Sequence, residues 1–300
     1  MGMGAEGREA AKRARKKETG SGKKGERAVL QNAADIERIV DGLTLFDDDL
    51  MSLVFDGNVP AAELVLRIIL KRDDIKVVRV VGQKELENPL VKGRNIRIDI
   101  LARDSLGRFF NVEVQRDSAG ADERRARFHS SMVDSRMLGA GQEFWELRES
   151  YVIFITEEDY FRAGLPVYTI ERHIEEMGRK FQDGSHIIYV NGSYRKDDPI
   201  GRLMRDFACK DAKDIHYQEL AEGVRHFKEE KGGREVMCQA VKEYANEVAK
   251  RAAIETAIRT AIKYGIEKER IIPDINEEFG ISGAEAEKLY EAYAQDTGRN

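Results

Sequence analysis

The sequence predicts an α/β (α+β) fold in which a mixed central sheet is flanked by helices and followed by a helical C-terminal region. Helical patterns come first, three short strands follow, and a further helix and strand complete the order expected of a layered core. A charged helical pattern occupies the rest of the chain. We expect a basic disordered tail at residues 1–30, a main domain at 31–215 and the helical region at 216–300.

The N-terminal tail is basic although the whole chain is acidic. Through Arg27 it holds nine basic and four acidic residues, a net charge of +5, whereas the 300 residues together carry −5. A basic tail can hold phosphates loosely. The alternative is a solvated, disordered terminus, because the segment lacks apolar periodicity.

Two helices and a strand are predicted ahead of the central hairpin. The acidic residues 47–49 favour the start of a short helix at 50–55, since carboxylates stabilise helix N-termini. Pro60 opens a second helix that continues to about residue 72. The β-branched run at 75–81 is typical of a strand.

The central hairpin has the clearest local pattern. Residues 96–101 and 109–115 both alternate between apolar and polar side chains. Between them lies a three-residue loop that ends in Gly107, and glycine readily adopts the left-handed conformation that this loop needs. If Asp104 pairs with Arg108, the register of the two strands is determined.

That register places two acids, Asp99 and Glu113, directly opposite each other, with Cβ atoms about 5 Å apart. They repel each other on strands that look largely buried, so a proton, an arginine or a metal must neutralise them. Mg²⁺ fits, because one or two carboxylates plus waters and phosphate oxygens usually bind it. Such a metal can activate water for attack on a phosphodiester. The alternative is a salt-bridged cluster with Arg97 on a solvent-facing surface.

The segment after the hairpin continues the layered pattern. It predicts a helix at 121–138, a short apolar strand at 151–156, a strand at 186–190 and a helix at 199–207. The single tryptophan, Trp145, is expected in the core rather than on the surface as a base-stacking platform.

The last third of the chain is helical and heavily charged, with breaks predicted at Gly232-Gly233, at Gly265 and around Pro273. Residues 269–293 have the outline of a helix-turn-helix. Residues 266–300 hold four basic and nine acidic residues, however, and that negative balance opposes contact with phosphates. Helical packing or homo-oligomerisation is therefore the expected role.

Several classes of protein are excluded by features that the sequence lacks. No apolar stretch is long enough to span a bilayer, and the first residues have no apolar segment typical of a secretory signal. The histidines and the two cysteines, Cys209 and Cys238, show no zinc-binding spacing. Two thiols in a chain of this size suit a reducing compartment. We therefore expect a cytoplasmic protein with no membrane partner.

The hairpin resembles the core of a known nuclease family. Residues 98–100 and 111–115 are similar to the D…(E/D)-x-K motif of PD-(D/E)XK nucleases, in which two neighbouring strands carry the acids and the lysine. Residues 45–55 and 125–130, together with the second hairpin strand, resemble motifs of the recombination-promoting nuclease and putative transposase branch. The likeness covers roughly residues 43–210. It implies a restriction-endonuclease-like core in the main domain.

The resemblance implies a metal-dependent DNA endonuclease with a link to mobile elements or recombination. Asp99 and Glu113 would be catalytic and would ligate Mg²⁺ or Mn²⁺, joined by the backbone carbonyl of Val114. Gln115 stands where the wider family has lysine, and the narrower branch resembles this chain in having glutamine there. An amide can position water but carries no charge, so the resemblance leaves the catalytic rate open.

Four further residues complete the predicted site. Related nucleases often use an acid from the first core helix, which implies Glu63 as an auxiliary acid, and Asp48 matches the N-terminal motif. Arg125 and His129 are four residues apart on the next helix, so they share a face and could clamp a phosphate. The alternative for this pair is a solvated basic face that is paired with nearby acids.

Two other functions stay open. A catalytically weak or inactive nuclease-fold module would bind nucleic acid or a protein partner, and the missing lysine at Gln115 favours it. In a structural α/β protein, the hairpin acids would only form salt bridges. The intact pair Asp99 and Glu113 argues against a fully decayed site.

Overall fold

The computed structural model describes residues 33–88 and 94–297, and the predicted basic tail at 1–30 lies outside them. The chain divides into two compact units. Residues 38–238 form the larger unit, and the described part of the smaller unit comprises residues 33–37 and 239–297. The mixed α/β architecture with a helical C-terminal region confirms the predicted fold class.

Three helices precede the sheet: α1 (Ala33–Gly42), α2 (Asp48–Phe55) and α3 (Val59–Leu70). The acidic run starts α2 as predicted, although the Asp47 carboxylate accepts the Thr44 N–H at 2.8 Å and does not cap the helix. Asn58 caps α3 by accepting the Ala61 N–H at 3.2 Å, and Pro60 occupies the first turn. Local capping chemistry therefore accounts for where α3 begins.

A six-stranded mixed sheet forms the centre of the larger unit. Its strands are β1 (Val77–Leu86), β2 (Ile96–Asp104), β3 (Phe109–Gln115), β4 (Ser150–Thr156), β5 (Val167–Ile170) and β8 (Ser185–Asn191). The order is β1-β2-β3-β4-β8-β5. β3, β4 and β8 run parallel, and the other neighbouring pairs are antiparallel.

Three of the strands were not predicted from the sequence. They are β5 and a separate two-stranded pair, β6 (His173–Ile174) and β7 (Arg179–Lys180). Each is only two to four residues long, and none has a fully buried residue. No hydrophobic alternation therefore marks them in the sequence.

The hairpin between β2 and β3 has the predicted loop. The Asp104 N–H donates to the Arg108 carbonyl at 3.2 Å, and Gly107 has a φ of 79°. Ile100 pairs with Val112, which is the predicted register. The local turn chemistry therefore determines how the two central strands align.

Three further helices belong to the larger unit: α4 (Glu123–Asp134), α5 (Pro199–Phe207) and α6 (Gln218–Glu229). α4 packs on β4 and β8, and its Met132 and Val133 join Ile98 of β2 in one apolar cluster. All seven residues of β4 are buried, as expected for an apolar central strand. The central strands β2 and β4 are therefore packed into the apolar interior of the larger unit.

The larger unit continues past the predicted boundary at residue 215. α6 packs against α2 and α3. Its Lys228 ammonium is buried and donates to the backbone carbonyls of Asp41, Leu43 and Lys210 at 2.8, 2.9 and 2.5 Å. Because three carbonyls from two separate segments share this cation, α6 is an integral part of the unit that carries the sheet.

The break that the sequence predicts at Gly232-Gly233 lies two residues earlier, at Glu230, between α6 and the next helix. The helix α7 (Lys231–Lys263) includes both Gly232 and Gly233. A Cβ at Gly233 would lie 2.2 Å from the His226 carbonyl oxygen. This glycine therefore permits a close approach of the backbone rather than ending a helix.

The smaller unit is helical in its described part. The end of α7 packs with α8 (Lys268–Phe279) and α9 (Gly283–Thr297) around a cluster of Ile254, Ile258, Ile271, Ile275 and Ala286. Pro273 lies within α8, where it removes one backbone hydrogen bond without ending the helix. Among the helices of the described ranges, none combines the length and the apolarity needed to cross a membrane.

Trp145 lies on the surface, so the prediction that it is part of the core is wrong. Its side chain is 81% exposed, and that of the adjacent Phe144 is 88% exposed. A short 3₁₀ turn, closed by reciprocal bonds between Glu143 and Glu146, holds both rings outward. The sequence pattern could not reveal this, because a lone aromatic residue has no periodicity.

Candidate active site

The strands β2 and β3 separate at the two predicted acids. Their backbone ladder stops at Ile100 and Val112. Beyond it, Asp99 Oδ2 accepts the Val114 N–H at 2.9 Å, and Glu113 Oε1 lies 3.4 Å from the Asp99 backbone nitrogen. The register is as predicted, but Asp99 and Glu113 are not a ladder pair, because their carboxylates accept backbone N–H groups across the gap.

The Asp99 carboxylate is poorly compensated. Its side chain is partly buried and accepts the Val114 N–H. Burial, followed by the negative charge of Glu113, raises the pKa of Asp99 to about 8, and the charge of Asp48 adds to this. A divalent cation placed here would favour the ionised form of this carboxyl group.

The Glu113 carboxylate is fully buried and has two basic neighbours. Arg125 Nη2 lies 3.2 Å from Glu113 Oε2, and His129 Nδ1 lies 3.5 Å from Oε1. The Arg125 side chain is 39% exposed, whereas His129 is buried. The basic pair predicted to clamp a phosphate therefore lies directly against one of the hairpin acids.

His129 is held by a small polar network. Arg125 Nε donates to His129 Nε2 at 3.4 Å, and the side-chain amide of Asn111 lies 3.1 Å from Nδ1. A neutral imidazole has one N–H, so Nδ1 carries the proton when Nε2 accepts. That tautomer directs its Nδ1–H towards Glu113 Oε1, 3.5 Å away. Asn111, which is fully buried, therefore orients His129.

Asp48, one of the two predicted auxiliary acids, lies close enough to influence the hairpin acids. It is the first residue of α2, and α2 packs against β1 and β2. Burial raises the pKa of Asp48, Arg97 opposes that shift, and the charge of Glu113 adds to it. Asp48 therefore adds a second negative charge, after that of Glu113, to the electrostatic environment of Asp99.

Glu63, the other auxiliary acid, is not brought to the site. Its carboxylate accepts the Val77 N–H at 2.8 Å and pairs with Arg67 at 2.7 Å. Val77 lies opposite Asp104, five residues beyond Asp99 on β2. Those five residues separate the two positions by roughly 16 Å along the strand. The contacts of Glu63 thus join α3 to the start of β1.

Gln115 is a neutral side chain at the end of β3. A Cβ at Gly120 would lie 2.1 Å from the Gln115 amide oxygen, so the glycine leaves space for this amide. The next residue, Arg116, does not replace a motif lysine, because it pairs with Asp47 at 3.0 Å and with Glu157 at 3.6 Å. Gln115 therefore places a neutral amide where the motif has lysine, and the adjacent Arg116 is already paired with acids.

A basic groove of about 480 Å³ adjoins the acids. Arg94, Arg97, Arg124 and Arg125 line it together with one acid, Asp122. The Asp122 carboxylate caps α4 by accepting the backbone N–H groups of Arg124 and Arg125. Guanidinium groups bind phosphate oxygens well, so the charge of this groove suits a phosphodiester backbone.

The hairpin acids fit a hard divalent cation by charge and donor type. Within the part of the chain that the structure describes, no group of three or more His, Cys, Asp or Glu side chains is arranged to hold a metal. Mg²⁺ needs only one or two carboxylates, because waters and substrate oxygens complete its shell. Asp99 and Glu113 supply these carboxylates, and burial together with the charge of Glu113 raises the pKa of Asp99.

The comparison with known families agrees with this geometry. Residues 63–193 match a family model described as "PD-(D/E)XK nuclease family transposase". This segment, which is less than half of the chain, is therefore similar to the domains of that family. Nothing among the curated proteins or the solved structures matches the chain. The matched segment includes both hairpin acids, Gln115, Arg125 and His129, whereas Asp48 precedes it.

Three residues near the hairpin acids were not singled out from the sequence. They are Arg94, Asn111 as the partner of His129, and Arg116. An asparagine within an apolar strand signals a buried hydrogen-bond partner, and that signal could have identified Asn111. No local signal could have identified Arg94, because its place in the groove depends on how α4 packs beside β2.

Proposed function

We propose that this protein is a Mg²⁺- or Mn²⁺-dependent DNA endonuclease that hydrolyses phosphodiester bonds. The observation that carries the proposal is the pair of acids at the separation of β2 and β3, beside a groove lined by arginines. The family match supports a nuclease-type function for the same segment.

Asp99 and Glu113 would hold the cation, with the carbonyl of Val114 as a third ligand. When bound, the cation would supply activation of a water molecule and stabilisation of the charge that develops on the phosphodiester. Asp48 would increase the negative charge of the site, which favours cation entry. Gln115 would orient the attacking water through its amide, because an amide both donates and accepts hydrogen bonds.

Arg125 and the neighbouring groove arginines would hold the DNA backbone. A guanidinium can bind two phosphate oxygens at once, which fixes the orientation of the scissile group. His129 would position Arg125 rather than bind the phosphate itself, because the His129 ring is buried and contacts both Arg125 and Glu113. The phosphate would thus be placed between the groove and the hairpin acids.

The proposed setting is the processing of mobile or recombining DNA in the cytoplasm. The word transposase in the family description supports the link to mobile elements. Cys209 and Cys238 are free thiols, which suits a reducing compartment. We also propose a homo-oligomer through the C-terminal helices, since α7 exposes Tyr244 and Val248 one turn apart.

The second candidate is a catalytically weak or inactive nuclease-fold module that binds nucleic acid or a protein partner. Two observations favour it. Gln115 supplies no positive charge, and Glu113 already has a cationic partner in Arg125. This candidate predicts nucleic-acid binding without cleavage.

The test is nicking of a supercoiled plasmid by the purified protein with Mg²⁺ or Mn²⁺, beside Asp99→Ala and Glu113→Ala. We expect cleavage that EDTA stops, and a loss of at least about 100-fold in each variant, because the cation contributes several kcal/mol to such reactions. Asp73→Ala is the matched control, since this exposed turn acid should leave cleavage unchanged. A folded wild-type protein that cleaves with neither metal would favour the binding module instead.

A further inference from the structure

Arg125 lies between a buried acid and an open groove. Its guanidinium is 3.2 Å from Glu113 Oε2, and that carboxylate is fully buried. The same side chain is 39% exposed and lines the groove that holds Arg94, Arg97 and Arg124. One cation thus has access both to a proposed metal ligand and to the surface where a phosphate would bind.

We propose that Arg125 is an exchangeable counterion that pairs with Glu113 while no divalent cation is bound and transfers to a nucleic-acid phosphate once the cation is bound. This inference rests on the proposed function. It assigns Arg125 two successive anionic partners and makes it a residue through which cation binding and phosphate binding are coupled.

The first step follows from electrostatic competition. Glu113 is compensated by Arg125 in the structure, whereas Asp99 has no comparably close basic partner in the described residues. A divalent cation that uses Glu113 must approach the guanidinium, and like charges within a few ångströms repel strongly at a buried site. Cation binding therefore weakens the pairing of Arg125 with Glu113.

The second step follows from what surrounds the released guanidinium. The groove offers three further arginines and one acid, and the Asp122 carboxylate already accepts two backbone N–H groups. Displacement into this positive groove is unfavourable unless another anion is present. A phosphate supplies that anion and can accept two guanidinium hydrogen bonds. Arg125 Nε also donates to His129 Nε2 at 3.4 Å.

The direct test is calorimetric titration of Mn²⁺ into nucleic-acid-free protein. Arg125→Gln should bind Mn²⁺ more tightly than wild type, by about threefold to tenfold, because a competing charge is removed. Arg124→Gln is the matched control: it removes the same charge from the same groove but not from Glu113, and its Kd should stay within about twofold of wild type. A merely structural role of Arg125 predicts weaker or unchanged Mn²⁺ binding.

A second measurement follows the coupling itself. Fluorescence anisotropy with a labelled DNA duplex, in EDTA and in Ca²⁺, should show tighter DNA binding by wild type when Ca²⁺ is present. Arg125→Gln should lose most of that gain. Arg125→Lys preserves the charge beside Glu113 and should bind Mn²⁺ like wild type, and it serves as the second variant if the glutamine variant does not fold.

The outcomes separate this inference from the proposed function. If wild type binds Mn²⁺ and a folded Arg125→Gln binds it equally or more weakly, the exchange is overturned while the metal site stands. If wild type binds no Mn²⁺ at all, the proposed metal site is overturned and the exchange with it.

Discussion

The Asp99 carboxylate lies where the folded chain disfavours its charge. Burial and the neighbouring Glu113 raise its pKa from the ordinary 3.8 to about 8. The folded protein therefore holds a proton that the unfolded chain has released, so stability falls as the pH rises through this window. The stability of the folded protein remains reduced at every pH above the pKa of Asp99 in the folded state. In the absence of a cation, this candidate ligand costs the protein stability.

Asp99→Asn should therefore stabilise the metal-free protein. We expect a gain of about 2 kcal/mol at pH 8.5 in EDTA, because the amide can still accept the Val114 N–H without a buried charge. Urea unfolding at pH 4.5 and 8.5 measures the gain, which should be much smaller at the lower pH. Mg²⁺ should stabilise wild type and not the variant. Equal stabilities at pH 8.5 would contradict this account.

At the scale of elements, a glycine on β1 allows α2 to approach the hairpin. A Cβ at Gly82 would lie 2.7 Å from the Ser52 carbonyl oxygen and 3.2 Å from Asp56 Cβ. The Gly82 N–H donates to the Asp56 carboxylate at 3.0 Å, which fastens the end of α2 to the strand. Because Asp48 begins this helix, Gly82 helps to position an acid that it does not touch.

Gly82→Ala should push α2 away from the sheet. We expect a loss of about 2 kcal/mol in stability, typical of an overpacked backbone contact, together with slower plasmid nicking. Thermal unfolding and the nicking assay measure the two effects. Gly232→Ala is the control, because nothing lies within 4 Å of its added Cβ and alanine favours a helix. Wild-type behaviour of the Gly82 variant would show that α2 tolerates the displacement.

At the scale of the whole molecule, the net charge and the groove have opposite signs. The chain carries −5, yet the groove beside the acids has four arginines and one acid. Nucleic acid would therefore be held by a few local contacts against a repulsive background. Screening by salt should reveal how many phosphates take part.

DNA affinity in EDTA should fall with salt along a log–log slope of about −3, as expected for three or four phosphate contacts. The combined variant Arg94→Gln, Arg97→Gln and Arg124→Gln leaves Arg125 in place and should bring the slope to about −1 or closer to zero. Anisotropy titrations at several salt concentrations measure both slopes. An unchanged slope in the triple variant would assign the contacts to another basic segment, and residues 1–30 would be the first to test.

The sequence by itself determined the hairpin and its pair of acids. Alternation and a glycine loop act over fewer than twenty residues, so β3 has the predicted bounds, and Ile100 and Val112 pair as predicted. The helix α5 also has the predicted bounds, because Asp198 and Pro199 mark its start locally. The resemblance of the same segment to PD-(D/E)XK nucleases is matched by the family assignment of residues 63–193. These properties are local, and short patterns are sufficient to specify them.

Only the tertiary structure decided which groups surround those acids. Arg125 and His129 contact Glu113 because α4 packs beside β3, and Glu63 is remote because α3 meets β1 at the opposite end from Asp99. Such distances depend on how separate elements pack together, and no period within one element encodes them. The neutralising partner of a buried carboxylate is therefore a property of the folded chain rather than of its local sequence.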